Sequence, residues 1–224
     1  LNGASPWVIG VRGDLTPADS FKAWFEGTYE GGADGTVNSD TISAFLVNAG
    51  GSFAIKGGWS PVIHANYTYA SGGGKGQSVS AGTPGQSTFR PWFDYVEGYN
   101  GYLFAPQLSN IHIFNAGVTS KPYENMSLSC NVYYYLKADN DSFAGSNPNI
   151  DFGGLEYTYE GTQSNSRQLG WEIDNVFGYD YSKDVRFQLV NAFFIPAGAY
   201  RHDGSGGTVN ATSHEVRAEV SVKF

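Results

Sequence analysis

The chain has 224 residues, of which 16% are aromatic and only 15% are charged, and its formal net charge is -8. This acidic balance argues against a nucleic-acid partner, which would need a basic surface. A single cysteine excludes a disulfide framework and a CxxCH haem site, and no apolar run reaches the roughly 18 residues of a transmembrane helix.

Alternation of apolar and polar side chains predicts about nine strands and no helix. In chain order the strands cover residues 7–13, 20–30, 41–55, 59–70, 111–119, 125–137, 167–181, 184–195 and 211–224. Short connections alternate with long ones, which lie at residues 31–39, 71–110, 138–166 and 197–209. Short turns on one side of the membrane and long loops on the other are typical of outer-membrane β-barrels.

The last strand shows the alternation most clearly. Its apolar face carries Val216, Ala218, Val220, Val222 and Phe224, and its polar face carries Glu215, Arg217, Glu219, Ser221 and Lys223. Such a strand suits a barrel wall between lipid and a wet lumen. We therefore predict an all-β protein, a transmembrane antiparallel up-and-down β-barrel in the outer membrane of a Gram-negative bacterium, in contact with outer-membrane lipid and lipopolysaccharide.

The whole chain, residues 1–224, is predicted to form a single outer-membrane β-barrel domain. Bacterial single-chain barrels have an even number of strands and place both termini on the periplasmic side. With about nine strands and a periplasmic Phe224, Leu1 would lie outside the cell. We therefore expect the domain to be the C-terminal part of a larger barrel whose N-terminal strands are not in this sequence.

The same alternation predicts which charged side chains line the lumen. They are Arg12, Lys22, Glu26, His64, Glu172, Asp174, Arg186, Glu215, Arg217 and Glu219. Glu172 and Asp174 lie two residues apart on one strand, so their side chains share a face. As a functional pair they would bind a cation or set ion selectivity. We prefer a structural role, in which they pair with Arg186 or Arg217 on neighbouring strands.

The opposite side of the two long strands in the second half is expected to contact lipid. The side chains placed there are Leu169, Trp171, Ile173, Phe177 and Tyr179 on one strand and Val185, Phe187, Leu189, Phe193 and Ile195 on the next. Cys130 is also placed outward, as a small apolar residue without a nucleophilic role.

The longest connection, residues 71–110, contains an aromatic stretch. If this stretch folds into the pore, it forms a constriction in which Arg90 is a positive contact and Trp92 or Tyr95 stacks on sugar rings. The equally favoured alternative is that it packs against the barrel mouth or caps it.

A calcium site at Asp139 and Asp141 is the less favoured reading of an acidic outer loop, because no EF-hand spacing follows these residues. We predict no other metal, no cofactor and no catalytic residue, so the chain is not expected to be an enzyme.

Two stretches resemble the alginate export family of outer-membrane porins. The first contains Leu108-Ser109-Asn110-Ile111-His112, Lys121-Pro122 and Tyr133-Tyr134-Tyr135, and the second contains Leu169-Gly170-Trp171-Glu172-Ile173-Asp174, Tyr179 and Phe193-Phe194-Ile195-Pro196-Ala197-Gly198. In the second, Trp171 replaces the usual histidine and Ala197 is inserted before the glycine. The resemblance implies a wide monomeric channel of more than nine strands for polysaccharide or small solutes.

A polyanion pathway needs a positive field along its lumen, whereas the predicted lumen residues carry mixed signs. We therefore expect passive passage of small solutes or of an oligosaccharide or polysaccharide, without specificity for alginate. One alternative is a barrel scaffold that sheathes a periplasmic partner such as a multihaem cytochrome. Another is a soluble glycan-binding β-sandwich.

Overall fold

The computed structural model describes residues 4–33, 41–72, 87–89, 100–106, 108–139, 150–151, 156–157, 166–199 and 212–224. Eleven strands lie in these ranges. They are β1 (Ser5–Ala18), β2 (Phe21–Ala33), β3 (Thr41–Ala54), β4 (Val62–Ala70), β5 (Ile111–Ser120), β6 (Met126–Lys137), β7 (Ile150–Asp151), β8 (Glu156–Tyr157), β9 (Gln168–Asp180), β10 (Val185–Pro196) and β11 (Ser213–Val222). No helix capable of spanning a membrane occurs among the described residues.

Nine of the strands form one antiparallel sheet in the order β1-β2-β3-β4-β5-β6-β9-β10-β11. Each strand pairs with the next strand of the sheet along the chain, which is the up-and-down arrangement. The all-β up-and-down fold predicted from the sequence is therefore confirmed. The short strands β7 and β8 pair with each other, and the sequence pattern did not predict them. Within the described ranges, β1 and β11 form the two edges of the sheet.

Several strand boundaries differ from the sequence prediction, and two of the differences change a short turn. β1 continues to Ala18, so the first turn is the two residues 19–20 and does not cover residues 14–18. β4 begins at Val62, because Trp59 and Ser60 have φ angles of 70° and 42°. A left-handed backbone at two successive residues cannot continue a strand, so these residues belong to the preceding turn.

The sheet has two distinct faces. We call the face that carries Glu172 and Asp174 the inner face, and the opposite one the outer face. A row of directly paired aromatic residues crosses the outer face near the long-loop end of the strands, namely Tyr67, Phe114, Tyr134 and Trp171. Neighbouring ring centroids in this row are 5.0, 6.4 and 4.2 Å apart. Such a row matches the aromatic girdle of an outer-membrane barrel.

The buried apolar core lies on the inner face, towards the long-loop end. Its strand residues include Ala44, Leu46, Ala70, Ile111, Ile113, Tyr133, Tyr135, Val190, Ala192 and Phe194. Leu103 and Phe104, from the connection between β4 and β5, complete it. This connection therefore covers part of the inner face.

One outward assignment is wrong. Leu169 was expected to contact lipid, yet it is 2% exposed and belongs to the inner core. The cause is a β-bulge between β6 and β9, where Tyr135 pairs with Gly170 and Leu136 pairs with Gln168, so that Leu169 has no opposite residue. An extra residue reverses the side-chain alternation at that point.

Candidate functional site

The strand register places the predicted lumen residues on one face. Residues that pair across antiparallel strands point to the same side. One row of pairs contains Lys22, Ser52, His64, Gly117, Asn131, Asp174, Ala192 and Glu215. Arg12 pairs with Glu26, and the other predicted residues lie at even spacings from these along their strands. All ten therefore share the inner face, while their role as a pore lining stays a prediction.

Two of these ten residues, Glu172 and Asp174, are fully buried, each with 0% exposure. They are covered by residues 100–106, which we call the inner segment. The backbone N–H groups of Leu103 and Phe104 donate to Glu172 Oε1 and Oε2 at 2.7 and 2.8 Å. The Tyr102 N–H donates to Asp174 Oδ2 at 3.2 Å. The two carboxyl groups thus hold a stretch of loop backbone against the wall, and each N–H···carboxylate bond is of the stronger, charge-assisted kind when the acceptor is ionised.

Tyr135 and Gly101 complete this attachment. Tyr135 Oη lies 2.7 Å from the Asn100 carbonyl oxygen, to which it donates, and 3.2 Å from Glu172 Oε2. Gly101 has a φ of 115°, and a Cβ atom there would lie 2.5 Å from Tyr135 Oη and 2.7 Å from Glu172 Oε1. Only glycine combines this backbone conformation with such a close approach to the wall.

Aromatic packing adds to these hydrogen bonds. The Phe104 ring stacks parallel to the Phe194 ring with centroids 4.6 Å apart and lies 4.7 Å from the Tyr135 ring. Burial of a phenylalanine side chain contributes about 1.5–3 kcal/mol. The inner segment is therefore part of the folded core, and this end of the inner face is apolar where a wet lumen was expected.

The arginine partners expected for Glu172 and Asp174 are wrong. Arg186 binds Asp180 at 2.8 Å and Ser127 at 3.1 Å. Arg217 lies 3.5 Å from Glu215 and 2.9 Å from Glu219, and its guanidinium is 5.5 Å from the centroid of the Tyr102 ring. On β11 the Arg217 guanidinium therefore lies between two carboxylates, whereas the acidic pair on β9 contacts loop backbone.

Further described residues of the connection between β4 and β5 bind Ser71. The Ser71 carbonyl oxygen accepts hydrogen bonds from Phe89 N at 2.9 Å and Asn110 N at 3.2 Å. Its hydroxyl donates to the Ser87 carbonyl at 2.7 Å. The two ends of the connection, Ser71 and Asn110, therefore meet at the end of β4.

A polar wall extends over β2, β3 and β4 on the same face. The Trp24 indole N–H lies 3.1 Å from both Asn48 Oδ1 and Asn66 Oδ1, and Asn48 Nδ2 donates to Thr68 Oγ1 at 2.7 Å. The indole ring lies over Gly50, where a Cβ atom would overlap it. Trp24 is half-buried, so its ring is held in one orientation with part of its surface open.

Charged side chains on β1 and β2 form local ion pairs on the same face. Arg12 Nε lies 3.0 Å from Asp14 Oδ2, and Arg12 is 4.0 Å from Glu26. His64 Nε2 is 2.9 Å from Asn131 Oδ1. The charged side chains described on this face therefore carry mixed signs, whereas concentrating a polyanion needs a field of a single sign.

Two predicted sites fall wholly or partly outside the described residues. Arg90, Trp92 and Tyr95, the proposed constriction, lie outside them, as does Asp141. The Asp139 N–H donates to Asn110 Oδ1 at 2.8 Å, an ordinary loop contact. Within the described ranges, no group of three His, Cys, Asp or Glu side chains could hold a metal ion.

The sequence pattern did contain a signal for the covered part of the inner face. Residues 189–195 of β10 are apolar at every position except Asn191, and a nearly continuous apolar run is typical of a strand buried on both sides. The residues that cover this strand lie about ninety positions away in the chain, and nothing in residues 100–106 themselves indicates an interior location.

The sequence is similar to one family of known proteins. A family model described as alginate export matches residues 4–213. No curated protein matches the sequence. A solved structure described as the NanC porin in a rhombohedral crystal form is 12% identical, with a TM-score of 0.48 over 98% of this chain and 79% of that chain. Because the family model spans most of the sequence, the chain belongs to the alginate export family of porin-like outer-membrane β-barrel proteins.

Proposed function

We propose that the protein is a passive channel in the bacterial outer membrane for small solutes, oligosaccharides or polysaccharide. The observation that carries the proposal is the attachment of the inner segment to Glu172 and Asp174. A loop held on the inner wall of a barrel reduces the free cross-section to a defined aperture. The rigid attachment makes that aperture a constant property of the fold.

The path for solute runs along the polar wall of β2, β3 and β4. Trp24, His64 and Lys22 are at least partly exposed there, and the charges are mixed. We infer that solutes are selected by size and by polar contacts, and only weakly by charge. The flat, held indole of Trp24 offers a stacking surface for the apolar face of a sugar ring.

The inner segment also favours a channel over a barrel that sheathes a partner protein. A scaffold around a multihaem cytochrome needs its interior free for that partner. Here Leu103 and Phe104 of the chain itself occupy the space above β6 and β9. The chain fills part of its own interior, which suits a narrowed pore.

Liposome swelling tests this function. Purified protein is reconstituted into vesicles that are then placed in isotonic solutions of neutral sugars of increasing size. We expect rapid swelling with monosaccharides and a slower rate with each added sugar unit, because the aperture selects by size. Vesicles that do not swell with any sugar would contradict the channel, and co-purification of a red haem protein would support the scaffold.

A further inference from the structure

Three consecutive strands of the sheet contain no aspartate, glutamate, lysine or arginine. They are β3, β4 and β5, which span Thr41–Ala54, Val62–Ala70 and Ile111–Ser120. Every other long strand carries at least one such residue. The polar side chains on the inner face of these three strands come from asparagine, serine, threonine and histidine. This part of the inner face, which we call the uncharged sector, is therefore polar without a fixed charge.

Two ring side chains lie against the uncharged sector in the same manner. The Trp24 indole extends from β2 across β3 and covers Gly50, its direct partner, where a Cβ atom would lie 2.6 Å from Trp24 Cε2. The His64 imidazole extends from β4 across β5 and covers Gly117, its direct partner, where a Cβ atom would lie 2.7 Å from His64 Cε1. In each case the missing side chain of a glycine leaves room for the ring to lie close to the wall.

The polar edge of each ring is bound to an asparagine on the far side of the strand that the ring covers. Trp24 Nε1 lies 3.1 Å from Asn66 Oδ1 on β4, and His64 Nε2 lies 2.9 Å from Asn131 Oδ1 on β6. Both rings are half-buried, so each is fixed in orientation while part of its surface is open to the interior. A side chain that is already fixed loses little conformational entropy when it binds a ligand.

Amide groups lie around and between the two rings. Asn66 and Asn115 pair directly across β4 and β5, two residues along from His64. Asn66 also binds the edge of Trp24, so it lies between the two rings. Asn66, Asn115 and Asn131 are each half-buried. A primary amide carries both hydrogen-bond donors and acceptors, and the hydroxyl groups of a sugar can bind to either.

We propose that Trp24 and His64 are two successive stacking positions of one binding site for a neutral oligosaccharide, whose hydroxyl groups bind the three asparagine amides. A flat ring faces the C–H side of a sugar unit, and polar groups beside the ring bind its hydroxyls. The strands that carry the two rings are separated by β3, which places their backbones about 10 Å apart. A single sugar unit cannot touch both rings, so the site takes several joined units. The inference rests on the proposed channel function and names uncharged sugars as its solutes.

The uncharged sector favours a neutral sugar over a polymer of uronic acids. Such a polymer carries a carboxylate on every unit, and a carboxylate that leaves water needs a cation or several hydrogen-bond donors. Beside the rings, Arg12 of β1 already pairs with Asp14 and Glu26, so Lys22 is the other cation of β1 and β2. One lysine cannot match a charge on every unit, whereas the amides match uncharged hydroxyl groups along the site.

Saturation-transfer NMR on the detergent-solubilised protein tests the site without requiring that the channel conducts. Glucose, maltose, maltotriose and maltohexaose are the neutral probes, and trigalacturonate is the charged probe. We expect the affinity to rise from glucose to maltotriose, because only the longer chain reaches both rings. We expect trigalacturonate to bind more weakly than maltotriose, because its carboxylates meet amides in place of cations.

His64→Ala should lower the affinity for maltotriose by about fivefold and leave the affinity for glucose unchanged, since glucose still binds at Trp24. Gly117→Ala should reproduce this loss, because the added Cβ displaces the His64 ring while every side chain that forms hydrogen bonds remains. The matched control is His214→Ala, which removes a ring that stacks on Phe193 on the outer face, and it should bind like the parent. Heat-modifiable migration in detergent gels shows that each variant is folded.

Three results would overturn the inference. They are equal affinity for glucose and maltotriose in the parent, unchanged maltotriose binding in both His64→Ala and Gly117→Ala, and tighter binding of trigalacturonate than of maltotriose. Planar-bilayer conductance of the same preparation separates this inference from the channel function. Current without sugar binding would refute the site alone, and sugar binding without current would refute the channel alone.

Discussion

The Leu103 backbone N–H donates a 2.7 Å hydrogen bond to Glu172 Oε1, across 69 positions of the chain. This contact joins a long connection to the inner wall of the sheet, and Phe104 N makes the same kind of bond to the other carboxylate oxygen. Because Glu172 is fully buried, no solvent competes for its oxygens. The inner segment is thus an integral part of the packing on the inner face of the sheet.

Replacing Glu172 with glutamine should loosen the inner segment. The substitution replaces one carboxylate oxygen, which accepts a hydrogen bond from a backbone N–H group, with an amino group, which cannot accept one. The N–H group then lacks a partner, and a buried unsatisfied donor costs about 1–3 kcal/mol. Urea unfolding of the protein in detergent should show this loss. Glu219→Gln is the control, because Glu219 lies on the same face but contacts Arg217. Equal stability of the two variants would show that the bonds from the inner segment contribute little.

A methyl group at Gly101 should have a similar effect by steric means. Gly101→Ala places a Cβ against Tyr135 Oη and Glu172 Oε1 at a φ of 115°, and strain of this kind costs about 1–3 kcal/mol. The matched control is Gly58→Ala, since an added Cβ there meets nothing within 4 Å. We expect faster proteolytic cleavage in the connection for the first variant only. Cleavage at the parental rate in Gly101→Ala would contradict this.

Adjacent phenylalanines on β10 should differ strongly in their contribution to stability. Phe194 stacks on Phe104 in the core, whereas Phe193 points to the outer face. Phe194→Ala should destabilise the protein by about 3–5 kcal/mol through the cavity it leaves. In unfolding measurements, Phe193→Ala should cost clearly less, because lipid replaces the lost contacts. A larger loss of stability in Phe193→Ala than in Phe194→Ala would contradict the placement of the core on the inner face.

Trp24 should contribute to sugar passage through its ring surface. Trp24→Ala removes the stacking surface, and we expect the affinity with which an oligosaccharide blocks the ion current to fall by about fivefold or more. Trp24→Phe keeps a ring but loses the bonds to Asn48 and Asn66, so it should give an intermediate affinity. Trp171→Phe on the outer face is the control and should leave the block unchanged. If the oligosaccharide blocks the ion current with the same affinity in all variants, Trp24 has no role in sugar passage.

Local alternation was sufficient to predict the nine strands of the sheet and the side on which each predicted lumen residue lies. This works because side-chain direction in a strand depends only on position along it. Lys22 and Glu215 illustrate this, since they lie far apart in the sequence and fall in one row of pairs. The register follows from that alternation together with the short turns.

The structural features that the sequence did not predict depend on contacts between segments that lie far apart in the chain. The bulge at Leu169 results from pairing with Tyr135 and Leu136, and no property of Leu169 itself indicates it. The partners of Glu172 are backbone N–H groups, which every residue has, so no pattern identifies them.

The central claim is that the inner segment narrows a channel because Glu172 and Asp174 hold it against the wall. Single-channel conductance of the parent and of the double variant Glu172→Gln with Asp174→Asn, in planar bilayers at equal salt, tests it most directly. If the claim is correct, the variant shows a larger or more variable conductance, because the released segment no longer defines the aperture. A variant that folds and conducts in steps identical to those of the parent would contradict the claim.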